Sequence, residues 1–241
     1  MRRTLFSAFF FCLALLATAQ SDTTGPVKIF RPMQARAKDH FMIQLGGAMW
    51  QNKPDSIKTG GFSRTFNMYL MFDFPFKTSP KFSIALGPGL STDNVFLDKM
   101  TANITSTGST LVFKNGSDTT HFKKYKVSTA FLELPVELRF SSNPDADGKS
   151  FKAAVGLRAG TMLAAWTKGK TLQNSAGTTL NDYIEKEKSK KFFNTTRISA
   201  TARLGYGHFS IFGSYSLTSL LKEGVGPQMN AMSIGLTLSG L

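Results

Sequence analysis

Apolar residues recur at every second position through eight separate stretches of this chain, and that period constrains its fold more than any other feature. A period of two sends successive side chains to opposite faces of an extended strand. Phe41, Ile43, Leu45, Gly47 and Met49 share one face, opposite Met42, Gln44, Gly46, Ala48 and Trp50. Phe66, Met68, Leu70, Phe72 and Phe74 share the next, followed by Phe82, Ile84, Leu86 and Leu90. The fourth set is the cleanest, with Ala130, Leu132, Leu134, Val136, Leu138 and Phe140 against Thr129, Phe131, Glu133, Pro135, Glu137 and Arg139. Similar runs follow at 151–163, 197–205, 209–217 and 232–239.

The connections between these strands alternate in length. Those after strands two, four and six are tight and carry turn residues, as in Asn143-Pro144-Asp145 and Gly205-Tyr206-Gly207. Those after strands one, three, five and seven are long and polar, at about 52–61, 97–124, 168–192 and 219–229. Short turns at one end and long loops at the other are the pattern of an outer-membrane barrel, with the loops outside and the turns in the periplasm. The expected fold is therefore all-β, an eight-stranded antiparallel up-and-down transmembrane barrel. A soluble lipocalin-like barrel also alternates, but it turns its apolar face inward and its polar face to water. Here the polar face carries Asp73, Glu133, Glu137, Arg139, Arg158, Arg197 and Arg203 and few lysines, which fits an interior of mutually neutralising charges better than a solvated surface.

The first residues have the plan of a secretory signal: Arg2 and Arg3, an apolar run at 5–16, then Ala17-Thr18-Ala19 with cleavage before Gln20. The run is short of the roughly 20 apolar residues that span a bilayer. The expected domains are a signal peptide at 1–19, a periplasmic tail at 20–39 and the barrel at 40–241. Cys12 is the only cysteine and leaves with the signal, so neither a disulfide nor a thiolate metal site is expected. Loss of Arg2 and Arg3 lowers the formal charge from +14 to +12. In a Gram-negative envelope the matching partners are anionic outer-membrane lipids including lipopolysaccharide; nucleic acid is not expected.

Candidate chemistry is sparse. Glu133 and Glu137 sit two pleats apart and resemble an acid–base pair, yet Arg139, Arg158, Arg197 and Arg203 are placed to pair with them and with Asp73, so a structural charge network filling the lumen is the reading preferred. His40, His121 and His208 are scattered over a strand start, an outer loop and a turn, and read as solvated residues. The glycines Gly87, Gly89, Gly156, Gly160 and Gly205 lie within strands, where packing rather than phosphate binding accounts for them. Lys168, Lys170, Lys186, Lys188, Lys190 and Lys191 crowd one outer loop, with Lys114, Lys123, Lys124 and Lys126 beside another; contact with lipid head groups is expected of Lys168, Lys170, Lys188, Lys190 and Lys191. The spacing of Asp182 to Lys186 and Glu187 to Lys191 admits a helical turn. Pro135 lacks the N–H that a barrel strand uses, so a bulge or a missing ladder bond is expected there.

The stretch Phe131-Leu132-Glu133-Leu134-Pro135-Val136-Glu137-Leu138-Arg139 resembles the LEIP-type central strand of the outer-membrane β-barrel domain family that includes PorT-like proteins of Bacteroidota. The resemblance covers about 40–241 and implies an eight-stranded barrel in the outer membrane, without a catalytic site, metal or cofactor. The expected role is non-enzymatic: a monomeric structural, adhesion or assembly barrel, or an accessory in protein secretion with envelope or secretion proteins as partners. The alternatives are a lipid-modifying enzyme of the outer membrane and a narrow pore.

Overall fold

A computed structural model of the chain describes residues 41–145 and 147–240. The signal peptide and periplasmic tail expected at 1–39, and His40, lie outside the described residues. Thirteen strands form among the described residues: β1 (Phe41–Gln51), β2 (Arg64–Leu70), β3 (Phe72–Pro75), β4 (Phe82–Leu86), β5 (Gly89–Leu97), β6 (Met100–Ala102), β7 (Phe113–Asn115), β8 (Thr120–Ser141), β9 (Phe151–Asn174), β10 (Thr179–Lys188), β11 (Thr196–Tyr206), β12 (Phe209–Ser216) and β13 (Asn230–Ser239). All pairings are antiparallel, and β13 pairs with β1 from Met42 opposite Ser239 to Gln51 opposite Asn230. That last pairing closes the sheet into a ring.

The ring has eight staves. Two of them are interrupted at the same height: β3 continues β2 after Met71, and β5 continues β4 after Gly87-Pro88, with the register kept across the gap. Tyr69 faces Gly89 on one side of it and Phe72 faces Leu86 on the other. Gly87 is required here, because a Cβ on it would lie 1.7 Å from the Leu70 carbonyl oxygen.

Pro135 borders this gap. Its partner on the other side is Arg158, and that ladder runs without a shift from Phe131 to Ser141. Of the two outcomes expected at Pro135, the bulge is absent and the missing ladder bond is present, opposite Leu134 and Pro135, where Gly87-Pro88 breaks the neighbouring stave. The one register shift between β8 and β9 lies at Ala130/Phe131, where β9 accommodates Leu163 as an extra residue.

Outward-facing residues form an apolar belt. Leu132, Leu134, Val136 and Leu138 of β8 are 44 to 49% exposed, and Val155, Leu157, Leu204, Ile211 and Leu236 project likewise from the other staves. Phe72, Phe74, Phe82, Phe151, Tyr206 and Phe209 ring its short-turn end as an aromatic girdle. No water-soluble fold leaves such a continuous band bare, whereas lipid covers it at no cost.

β8 and β9 are 22 and 24 residues long. A tilted strand crosses a bilayer in about 9–11 residues, so half of each stands above the belt. There β9 continues beside β10, from Glu187 opposite Thr167 to Thr179 opposite Gln173. The region expected to be a loop at 168–192 is thus mostly sheet, and the helical turn expected near 182–191 is absent: β10 is extended through Lys188. The segment expected as a loop at 97–124 similarly contains the hairpin β6–β7 and the first residues of β8.

Candidate functional site

Two regions carry the chemistry of this chain: the charged lumen and the cap built on the long-loop end. In the lumen, Glu133 of β8 accepts hydrogen bonds on Oε1 from Arg197 Nε (3.0 Å) and Nη2 (2.5 Å), and on Oε2 from the Tyr69 hydroxyl (2.6 Å). Arg197 of β11 also reaches Asp93 (2.6 Å) and Ser91 (2.7 Å), and its guanidinium lies 3.9 Å from the Phe131 ring centre. Arg158 of β9 donates to Tyr69 Oη (3.0 Å) and Gln44 Oε1 (2.8 Å). Gln44 in turn donates to Thr237 and accepts from Asn67. One connected set of polar groups therefore ties β1, β2, β5, β8, β9, β11 and β13 together across the interior.

Closer to the short turns, Glu137 accepts from Arg203 Nη2 (2.7 Å) and Arg139 Nε (3.1 Å), and Asp73 lies 3.8 Å from Arg139 and accepts from Ser83 (2.7 Å). Every residue of the charge network expected from sequence points inward; Glu133, Glu137, Arg139, Arg158, Arg197 and Arg203 are buried and Asp73 is half-buried. Sequence reasoning missed Asp93, Tyr69 and Gln44, which complete the set. Asp93 was legible in principle as an inward-phase residue two beyond Ser91, but the alternation there is blurred by Thr92 and Asn94. A polar pocket of about 20 Å³ remains beside Arg158, Arg197 and Asp93, the size of a single water.

Toward the long-loop end the interior changes from polar to apolar. Phe131, Met162, Val127, Ala165, Trp50 and Val95 bury one another and merge with Ile104, Phe192, Phe193, Leu221 and Met229 from the connecting segments. Hydrogen bonds fasten this cap. The Tyr125 hydroxyl donates to the Ala102 carbonyl (2.8 Å) and accepts from its N–H (3.2 Å), and burial pushes this phenol above its usual range. Leu111 N–H donates to Val225 (2.7 Å), Lys222 N–H to Phe192 (2.9 Å). Lys191 Nζ donates to the carbonyls of Ser106, Thr107 and Gly108 at 2.8 to 3.0 Å.

The lysines expected to meet head groups therefore divide. Lys168, Lys170 and Lys188 lie on the outward face, while Lys191, though exposed, bonds to carbonyls of the cap and Lys190 reaches the Met162 carbonyl at 3.4 Å. Two histidines also differ in setting from one another. His121 is buried near the outer end of β8 rather than solvated, and His208 is half-buried with Nδ1 3.0 Å from the Ser239 carbonyl. Among the described residues no group of three or more His, Cys, Asp or Glu is placed to hold a metal ion.

The chain matches the family model described as outer membrane protein beta-barrel domain over residues 32–222. Among solved structures it is similar to Ail, the attachment invasion locus protein of Yersinia pestis, with 12% sequence identity and a TM-score of 0.34 over 83% of this chain and 94% of that one. No curated protein sequence matches it.

Proposed function

The chain belongs to the outer membrane protein β-barrel domain family and resides in the outer membrane, and from that premise we propose that it is a non-enzymatic display barrel, whose folded extracellular cap is the working surface in adhesion or envelope assembly. The observation that carries this reading is the cap's own apolar core, centred on Ile104, Phe192, Phe193, Leu221 and Met229. Loops that merely close a barrel need no such core, and ordering them costs about 1–2 kcal/mol per residue in backbone entropy. A preorganised surface avoids that cost at the moment of binding. β10, an edge strand, presents exposed Leu180 and Ile184 at the rim of the cap as the contact face for a partner.

The narrower version, an accessory barrel of PorT-like type in protein secretion, is supported by the resemblance of residues 131–139. Replacing 176–187, the turn after β9 and all of β10 but its last residue, by a short turn tests the reading. Cells carrying the shortened barrel should lose surface attachment or the co-purifying envelope partner, with barrel folding unchanged. Unaltered attachment and unaltered partner recovery would reject the cap as the working surface. Stepwise conductance by the wild-type barrel in a planar bilayer would favour the pore reading instead.

A further inference from the structure

Above the apolar belt, the outward face of the sheet carries a row of cations in adjacent strands. Lys126 of β8 is directly opposite Lys168 of β9, and Lys168 is directly opposite Lys186 of β10. One step higher Lys124 faces Lys170. Opposed residues in a sheet have Cβ atoms about 5 Å apart, and like charges in that relation destabilise the sheet. Among the described residues none of these lysines forms an ion pair; Lys126 Nζ has only the Asn94 side-chain oxygen, at 2.7 Å. Burial, and then the positive charges of Lys168, Arg64 and Lys186, push the Lys126 ammonium below its ordinary range. The row is therefore a concentration of positive charge that the protein itself leaves unbalanced.

The position of the row says what balances it. Below it on the same face come Ser128 and Trp166, and then the belt residues Leu132 and Leu163. Lys186 Nζ sits 5.8 Å from the Trp166 ring centre, and the Arg64 guanidinium 5.9 Å from that of Phe96. Indole rings of this kind mark the membrane–water boundary. Lys126 is four residues above Ala130, about 13 Å along the strand and about 10 Å along the membrane normal for a tilt near 40°. Lysine stems bend toward the interface, which brings the ammonium groups to the depth of lipid phosphates. Beside the row a hollow of about 340 Å³ is lined by Phe62, Phe96, Arg64 and Lys124. It sets aromatic rings beside the Arg64 and Lys124 cations, with Asp98 also in its lining, and so presents both apolar surface and positive charge to a phosphorylated amphiphile.

We propose that Lys126, Lys168 and Lys186 form a binding site for the phosphate groups of an outer-leaflet glycolipid, with Arg64, Lys124 and Lys170 as its margin. The proposal rests on residence in the outer membrane and is independent of what the cap binds. A bridging phosphate turns three mutually repelling ammonium groups into a charge-assisted hydrogen-bonded set. It also couples the lipid to the extension of β8, β9 and β10, which no bilayer contact otherwise supports.

The test is made on the full barrel in zwitterionic vesicles containing a trace of bis-phosphorylated acyl-glucosamine disaccharide, or the same lipid after phosphatase treatment, with lipid retained per barrel as the readout. Wild type should retain the phosphorylated lipid and release the dephosphorylated one. K126Q/K168Q/K186Q should bind the phosphorylated lipid on the order of 100-fold more weakly, about fivefold per lysine near a membrane surface. K58Q/K99Q/K222Q, with the same change in net charge at exposed cap positions, should bind as wild type. Equal retention of both lipids by wild type would overturn the site, and this comparison stands even if the triple variant fails to fold. Equal weakening by the two triple variants would reduce the effect to net charge and overturn it too. Displacement by inorganic phosphate at a concentration equal to that of the lipid would assign the site to free phosphate and refute the lipid source.

Discussion

Glu133→Leu is the sharpest perturbation of the lumen. The residue is 3% exposed, and its two side-chain oxygens accept from Arg197 and Tyr69. Breaking a buried ion pair from one side costs about 3–5 kcal/mol, because the surviving charge stays desolvated. Arg197 retains Asp93 at 2.6 Å and Ser91 at 2.7 Å, which places the loss at the lower end. The Tyr69 hydroxyl keeps the bond it accepts from Arg158 but loses its own acceptor, adding about 1 kcal/mol. The expected total is about 3–4 kcal/mol. Urea titration of the refolded barrel in vesicles, followed by Trp50 and Trp166 fluorescence, should then show a midpoint lowered by roughly 1.5–2 M for a slope near 2 kcal/mol/M. Glu137→Leu should cost more than Glu133→Leu, because it removes the carboxylate shared by Arg203 and Arg139 at once. A midpoint within about 0.3 M of wild type for Glu133→Leu, against the same slope, would refute the reasoning, since it would mean that water reaches Arg197 freely.

Three further outcomes follow from the geometry. Leu134→Lys, at the middle of the belt, should destabilise the barrel by about 2–4 kcal/mol in vesicles, whereas Leu180→Lys on the cap should leave the same urea midpoint unchanged. Gly87→Val should keep the break between β4 and β5 from packing against the end of β2, because its Cβ would strike the Leu70 carbonyl; the readout is loss of the compact band on electrophoresis of unboiled samples. The mature protein should fractionate with outer membranes as a heat-modifiable monomer, and recovery of a cross-linked dimer as the main species would contradict the monomer.

The staves were legible because lipid on one side and a charged lumen on the other impose the same two-residue period along eight separate segments. Seven charged lumen residues, though not Asp93, could be read for the same reason: a charge in the inward phase of a narrow barrel has few places to go. Their partners were less legible. Tyr69 and Gln44 carry no charge, and which arginine meets which carboxylate depends on shear and tilt, not on spacing along any one strand. Pro135 shows a related limit. Its missing donor was evident, but the neighbouring stave absorbs it through Gly87-Pro88, more than 40 residues earlier in the chain.

The outer extension escaped notice for a different reason, and the reason itself yields a test. Along β8 the side chains keep alternating inward and outward, but their chemistry exchanges faces. From Phe140 to Leu132 the outward residues are apolar and Glu133, Glu137 and Arg139 point in. Above Ala130 the inward residues are Val127 and Tyr125, buried in the cap, while Lys126 and Lys124 face out. A pattern whose polarity inverts midway loses its periodicity when averaged over the strand, so it reads as irregular. Water is the cause: outside the bilayer a sheet follows the rule of soluble proteins, apolar inside and polar outside, whereas within it the rule reverses. The inversion thus marks the membrane boundary between Leu132 and Lys126. Single cysteines at 126, 128, 130, 132 and 134, in a mature chain expected to lack native cysteine, should divide at that boundary. Position 126 should react with a membrane-impermeant maleimide in intact cells, and 132 and 134 should resist it while a lipid-borne quencher reaches a probe attached there. Equal reactivity at 126 and 134 would show that the bilayer does not end where the chemistry exchanges faces, and the assignment of the belt would fall with it.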